Sequence, residues 1–212
     1  MGIFDKFKKN GNKHIINNKN VILNYNKELE PVVKVFVNIL DQEDKTNDII
    51  KENSTVKIGY LLYKIVLEKD NYRLLVVDLN NKELNTFTDD LNLALNYFNR
   101  QANIINLTKT KDQVTDTYYD DDMIISKPSL KSSKLYMLRE ERKDKDCGSY
   151  LGAVGEEKTN NPSDYVKIKT YRLKDICDVA IDVLQLPVGT LAIIENNKII
   201  DLVDKINNKL LQ

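Results

Sequence analysis

The stretch I-I-S-K-P-S-L-K-S-S-K-L-Y-M-L-R-E-E-R-K-D-K-D-C-G-S-Y-L-G-A-V-G, residues 124–155, decides the fold. Three apolar runs punctuate it: one ending at Ser126, one from Leu135 to Leu138, and one from Tyr150 to Val154. A polar turn around Pro128 separates the first two. A charged turn from Arg139 to Asp146, closed by Gly148, separates the second and third. Short apolar runs bounded by Pro, Gly, Ser and Asp read as strands, so the stretch predicts strand, hairpin, strand.

Downstream, Tyr165 to Thr170 alternates as a strand. Leu173 to Leu186 reads as a helix, with Leu173, Ile176, Cys177, Ala180, Ile181 and Leu184 on one face. Pro187-Val188-Gly189 ends it. Leu191–Ile194 and Ile199–Val203 flank Asn196-Asn197 as a hairpin, and Lys205–Gln212 is a short helical or frayed tail.

Upstream, residues 109–122 are polar, lack apolar periodicity and end T-D-T-Y-Y-D-D-D, the pattern of a solvated linker. The adjacent aspartates lack the alternation and the Gly turn of a calcium loop. Before the linker, Thr88-Asp89-Asp90 opens a helix whose face is Leu91, Leu95, Phe98 and Ala102. Val56–Glu68 and Tyr72–Leu79 are strands joined at Lys69-Asp70-Asn71. Val33, Phe36, Val37 and Leu40 fall on one face of a helix begun at Pro31, although the β-branched content also suits a strand. Val21–Tyr25 is a further strand, and residues 1–20 read as a flexible leader. In that leader Ile3, Phe4 and Phe7 lie beside Lys6, Lys8 and Lys9, a face suited to weak peripheral membrane contact or to simple fraying.

These elements give an α+β fold: antiparallel sheets with helices packed on one face, in two small domains. The expected division is a leader at 1–20, an N-terminal domain at 21–108, a linker at 109–122 and a C-terminal domain at 123–212.

Composition narrows the function. The 212 residues carry 32 basic and 32 acidic side chains, without the basic excess of a chain devoted to nucleic acid, so no nucleic-acid partner is expected. One histidine, His14, leaves no basis for a histidine metal site or a histidine-dependent nucleophile. No P-loop, dinucleotide fingerprint or nucleophile elbow occurs, so neither cofactor nor catalytic residue is expected. No run is long and apolar enough for a membrane span. Cys147 and Cys177 read as free thiols of a cytoplasmic chain without a signal peptide.

The order of short motifs carries more. Ser126-Lys127 comes first, followed by Met137-Leu138-Arg139-Glu140 and Asp146-Cys147-Gly148-Ser149-Tyr150. Gly155-Glu156-Glu157, Tyr165 and Leu186-Pro187-Val188-Gly189-Thr190 complete the series. This order resembles the C-terminal domain of bacterial immunity proteins of type thirty-three, a family encoded beside polymorphic toxins. Tyr150 stands where that family has Trp, and Cys147 where Ser is usual. The resemblance implies a non-enzymatic protein that binds and neutralises a cognate toxin.

The residues expected to touch the protein partner are Arg139, Glu140, Asp146 and Tyr150, displayed on or beside the charged turn. Arg139 and Glu140 also read as a surface ion pair of little energetic worth. Two other readings compete. One is an interaction or regulatory module without a toxin. The other is a hydrolase working through Glu140, Glu141, Asp144 and Asp146, which a deep pocket converging on Glu140 and Asp146 would favour.

Overall fold

A computed structural model describes residues 11–81, 86–157, 159–206 and 208–210. The apolar face of the leader, Ile3 to Phe7, lies outside the described residues. The chain forms two compact units, 1–99 and 100–212, divided inside a helix.

The first unit is a mixed sheet with the order β1-β2-β5-β4-β3, and β6 beside β5. Its strands are β1 Asn12–Ile16, β2 Lys19–Leu23, β3 Thr55–Ile58, β4 Leu61–Glu68, β5 Asn71–Val77 and β6 Phe87–Thr88. Residues 12–20 were expected in the leader; they pair instead. Asn17 and Asn18 take φ of 44° and 63°, the geometry of a tight hairpin turn, and join β1 to β2. The expected strand Val56–Glu68 is broken because Gly59, at φ 58°, turns the chain between β3 and β4.

Helix α1, Glu30–Asn47, carries Pro31 in its first turn and buries Val33, Phe36 and Leu40 on one face. Apolar periodicity therefore prevails over β-branched content there. Its last buried residue, Asp44, accepts from Asn17 Nδ2 at 2.9 Å and Ile50 N at 2.6 Å and pairs with Lys19 at 2.9 Å, so its charge is offset. Helix α2 runs Asn92–Thr108. Its first turn is tied to Asp90, whose Oδ1 accepts from Asn92 N at 3.0 Å, while Thr88 stays in β6.

The second unit holds a six-stranded sheet, β10-β7-β9-β8-β11-β12. The strands are β7 Asp122–Ser126, β8 Lys134–Arg139, β9 Asp146–Ala153, β10 Tyr165–Lys169, β11 Leu191–Glu195 and β12 Lys198–Val203. The deciding stretch is thus strand, hairpin, strand. Among the described strands of this sheet, β7 pairs with β9 in parallel and the other pairings are antiparallel, as β2 with β5 is the parallel strand pair of the first sheet. The tail after β12 folds back rather than forming a helix: Leu210 N donates to Leu202 O at 2.8 Å.

Alternation along the strands sorts two faces. Met123, Ile125, Leu135, Met137, Cys147, Leu151 and Ala153 point inward and are buried with Leu173, Ala180, Ile181 and Leu184. The expected helix at 173–186 exists as two short pieces, α3 Leu173–Ile176 and a 3-10 turn Asp178–Val183. Cys177, at φ −157° and ψ 84°, breaks it, and Asn197 Oδ1 accepts from Val179 N at 3.1 Å. The apolar residues still bury, so the predicted face is right and the continuous helix is not.

Residues 109–122, read as a solvated linker, are fastened within the second unit. Thr115 N donates to Gln185 O at 3.0 Å and buried Thr117 Oγ1 to Leu184 O at 3.1 Å. Asp121 is buried and pairs with Arg142. The chain looked like a linker because its hydrogen bonding is to carbonyls distant in sequence, which apolar periodicity does not report.

Asp182, buried on the 3-10 turn, accepts from Arg100 Nε at 3.0 Å. Burial outweighs the guanidinium and pushes the carboxyl up to about 6. The folded chain therefore holds this proton more tightly than the unfolded chain. Its contribution to stability is fully present below the ordinary aspartate range and is lost as pH rises to about 6. Asp182→Asn should flatten that decline by about 3 kcal/mol, read from urea unfolding on the acidic and neutral sides of the window. An unchanged pH profile would refute this assignment.

Candidate functional site

The hairpin β8–β9 presents two different sites on its two faces. Arg139 pairs in register with Ser149 and points inward. It is 2% exposed, which overturns the expectation of a displayed surface anchor. Nε donates to Leu186 O at 3.2 Å, and Nη1 to Cys147 O at 3.1 Å, to Gly148 O at 3.3 Å and to Ser149 Oγ. Nη2 donates to Thr115 Oγ1 at 2.6 Å and Thr117 Oγ1 at 3.3 Å. Every one of these acceptors is neutral. Burial draws the guanidinium down to about 10, so it stays charged at neutral pH. Its backbone closes the same node: Arg139 N donates to Thr190 O at 2.9 Å, and Gly189 N to Arg139 O at 2.8 Å. Arg139 thus ties the hairpin to residues 115–117 and to the turn at 186–190.

The other expected residues are placed differently. Glu140 is exposed. Asp146 is half-buried and spends Oδ1 on Gly148 N at 2.8 Å, so it shapes the turn. Tyr150 points outward, opposite Leu138 and Ile124.

The outward face holds Ile124, Tyr136, Leu138, Tyr150, Tyr165, Leu191 and Ile193, all half-buried. After β9 the chain turns at Gly155, φ 84°, and lays Glu156 over Gly152. A Cβ at Gly152 would strike Glu156 Oε1 and the Tyr136 ring, so only glycine leaves room for the arrangement. Glu156 Oε1 accepts from Tyr150 Oη at 2.7 Å and Tyr136 Oη at 3.2 Å. Tyr150 stacks at a tilt on Tyr136, centroids 5.7 Å apart, and meets Tyr165 edge to face at 6.1 Å.

Desolvation alone would raise the Glu156 pKa. Hydroxyls of Ser126 and Tyr150 outweigh it and hold the carboxyl below the ordinary glutamate value. Oε2 is buried with no hydrogen-bond partner among the described residues. Burial and the adjacent Glu156 raise the Tyr150 phenol, which stays protonated as a donor.

Tyr150, Glu156 and Tyr165 line a cleft of about 580 Å³ together with Lys127, Leu130 and Lys131. Neither Glu140 nor Asp146 lines it, so the pocket that would have favoured a hydrolase at those residues is not this one. Among the described residues no group of three His, Cys, Asp or Glu could hold a metal ion.

The model of the Imm33-like domain matches residues 100–205, half of the chain. The chain belongs to the Imm33-like family. No curated protein and no solved structure matches it.

The Imm33-like domain coincides with the second unit. The motifs behind the resemblance sort within it into two groups. Arg139, Cys147, Gly148, Ser149, Leu186, Gly189 and Thr190 build the buried node. Ser126, Tyr150, Glu156 and Tyr165 gather at the cleft. Glu156, Tyr136 and Tyr165 were missed as site residues, although Gly155-Glu156-Glu157 and Tyr165 belong to the motif order. The signal was Gly155 directly before an acidic pair at a strand end, where a reversing chain returns its next side chain onto the strand it has left.

Proposed function

We propose that this chain is a non-enzymatic, cytoplasmic immunity protein that binds and neutralises a cognate bacterial toxin. The observation that carries the reading is the outward face of the Imm33-like domain. Its tyrosine and aliphatic side chains are half-exposed along five adjacent strands, and Tyr150 and Tyr165 among them line a cleft. Antiparallel-rich sheets of soluble domains commonly place polar residues on the face away from the core. A contiguous aromatic and aliphatic face instead marks an interaction surface, and tyrosine contributes most to such contacts. No helix among the described residues is long and apolar enough to cross a membrane.

Tyr150 remains the principal proposed contact among the residues expected from sequence. Glu140 remains a proposed peripheral one, and Asp146 supports the turn that presents both. The test is co-expression with the toxin encoded beside this protein. Tyr150→Ala combined with Ile193→Asp should weaken binding about 30-fold or more and abolish protection, with an unchanged circular dichroism spectrum. Full protection by that variant would move the interface off this face. If the parent chain neither protects nor binds, the immunity reading fails and a general interaction module replaces it.

A further inference from the structure

The cleft holds a carboxylate that no cationic side chain among the described residues neutralises. Glu156 is kept charged by hydroxyl groups, and no lysine or arginine pairs with it among the described residues. Glu157 and Asp164 line the same cleft and are likewise without a cationic partner among the described residues. The aromatic part of the lining is Tyr150 and Tyr165, whose ring faces carry partial negative charge. Carboxylates beside phenol rings form an electron-rich recess, and the complementary ligand is a cation with a flat, weakly hydrated surface.

We propose that this cleft takes a single arginine side chain, presented on an extended segment of the protein partner. The inference rests on the binding role proposed above and adds the chemistry of the contact. The volume of about 580 Å³ is several times that of one side chain, so the arginine must arrive with flanking backbone. A guanidinium suits the recess better than an ammonium. It loses less hydration on leaving water, lies flat on a tyrosine ring and donates in its plane to a carboxylate.

Lys127 and Lys131, both exposed, also line the cleft and pair with no acid among the described residues. They repel a run of basic residues and favour one arginine with neutral or acidic neighbours. The cleft therefore reads charge pattern as well as charge.

The test needs no toxin and so is independent of the immunity reading. Acetyl-Gly-Arg-Gly-amide is titrated into the full chain, with the tyrosine ring signals followed by NMR. Saturable shifts of Tyr150 and Tyr165 are expected, weakened about tenfold in Glu156→Gln, the loss of one charge-assisted contact. Tyr165→Leu, at a half-exposed position on the edge strand, should weaken binding in the same direction. The glutamate peptide should produce no shifts, and the lysine peptide weaker binding. Absent shifts with the arginine peptide, equal binding of the glutamate or lysine peptide, or unaltered affinity in Glu156→Gln would each overturn the proposal. Protection by the parent chain together with no arginine binding would leave the immunity reading standing and remove this one.

Discussion

Arg139→Ala should unfold the second unit or bring it close to unfolding. The substitution removes the guanidinium that joins the carbonyls of Leu186, Cys147 and Gly148, although Leu186 O keeps Thr115 Oγ1 and Gly148 O keeps Glu140 N as donors. Thr115, Thr117 and Ser149 donate their own hydroxyls elsewhere or lose a charged neighbour. A hydrogen bond to a charged group contributes about 1.5–3 kcal/mol, and several are lost at once. Partial collapse and entering water would recover some of this, so about 4 kcal/mol is the expected loss. That is a large part of the roughly 5–15 kcal/mol that holds a domain together. Arg139→Lys keeps the charge but has no planar fork to reach three segments, so it should recover only a fraction. Urea unfolding of the full chain measures both. An Arg139→Ala chain with the parent's midpoint would show that the node is dispensable. A charge reversal here, which reading the residue as a surface anchor would treat as harmless to the fold, becomes a folding mutation.

Gly148→Ala should be nearly as damaging, for a different reason. Gly148 sits at φ 65°, where a side chain is already strained by about 1–2 kcal/mol. An added Cβ would also strike backbone, lying 2.7 Å from Arg142 N and 2.8 Å from Glu141 C. Those atoms belong to the charged turn and cannot rotate aside as a side-chain tip would. The turn must open, and Arg139 then loses two of its acceptors. We expect about 3 kcal/mol or more. Gly155→Ala is the internal comparison. Its φ is 84°, but a Cβ there meets nothing within 4 Å, so only about 1 kcal/mol of backbone strain applies. Thermal unfolding of the two variants side by side separates collision from strain. Equal losses would mean that the turn yields freely.

Much of this was readable beforehand because it follows periodicity. Val33, Phe36 and Leu40 foretold α1, and Asn196-Asn197 foretold the β11–β12 turn. The apolar runs around Pro128 and Gly148 foretold β7, β8 and β9. The failures share a cause: each depends on a contact distant in sequence. Arg139 follows an apolar run and precedes Glu140, so locally it looks like the first residue of a charged surface. Only the return of Leu186 and Thr117 to the same spot makes it a core residue. The parallel pairing of β7 with β9 also leaves no local trace, since an intervening hairpin suggests β7 beside β8. Cys177 breaks a helix whose apolar spacing is sound. The cleft was half legible. Tyr150 was named, but Glu156 joins it only because Gly155 reverses the chain.

The separation of inward from outward side chains on β7, β8 and β9 has an evolutionary reading. On these strands odd positions such as Met137, Arg139 and Leu151 hold the fold, while even positions such as Tyr136, Leu138 and Tyr150 meet the exterior. The two sets share a backbone but face opposite sides of the sheet, so substitutions in one should be nearly additive with those in the other. A lineage could exchange its outward tyrosines and aliphatics one at a time without repaying the cost of a new core. Gly152 marks the limit of that freedom, because it is an even position whose missing side chain is what lets Glu156 lie down.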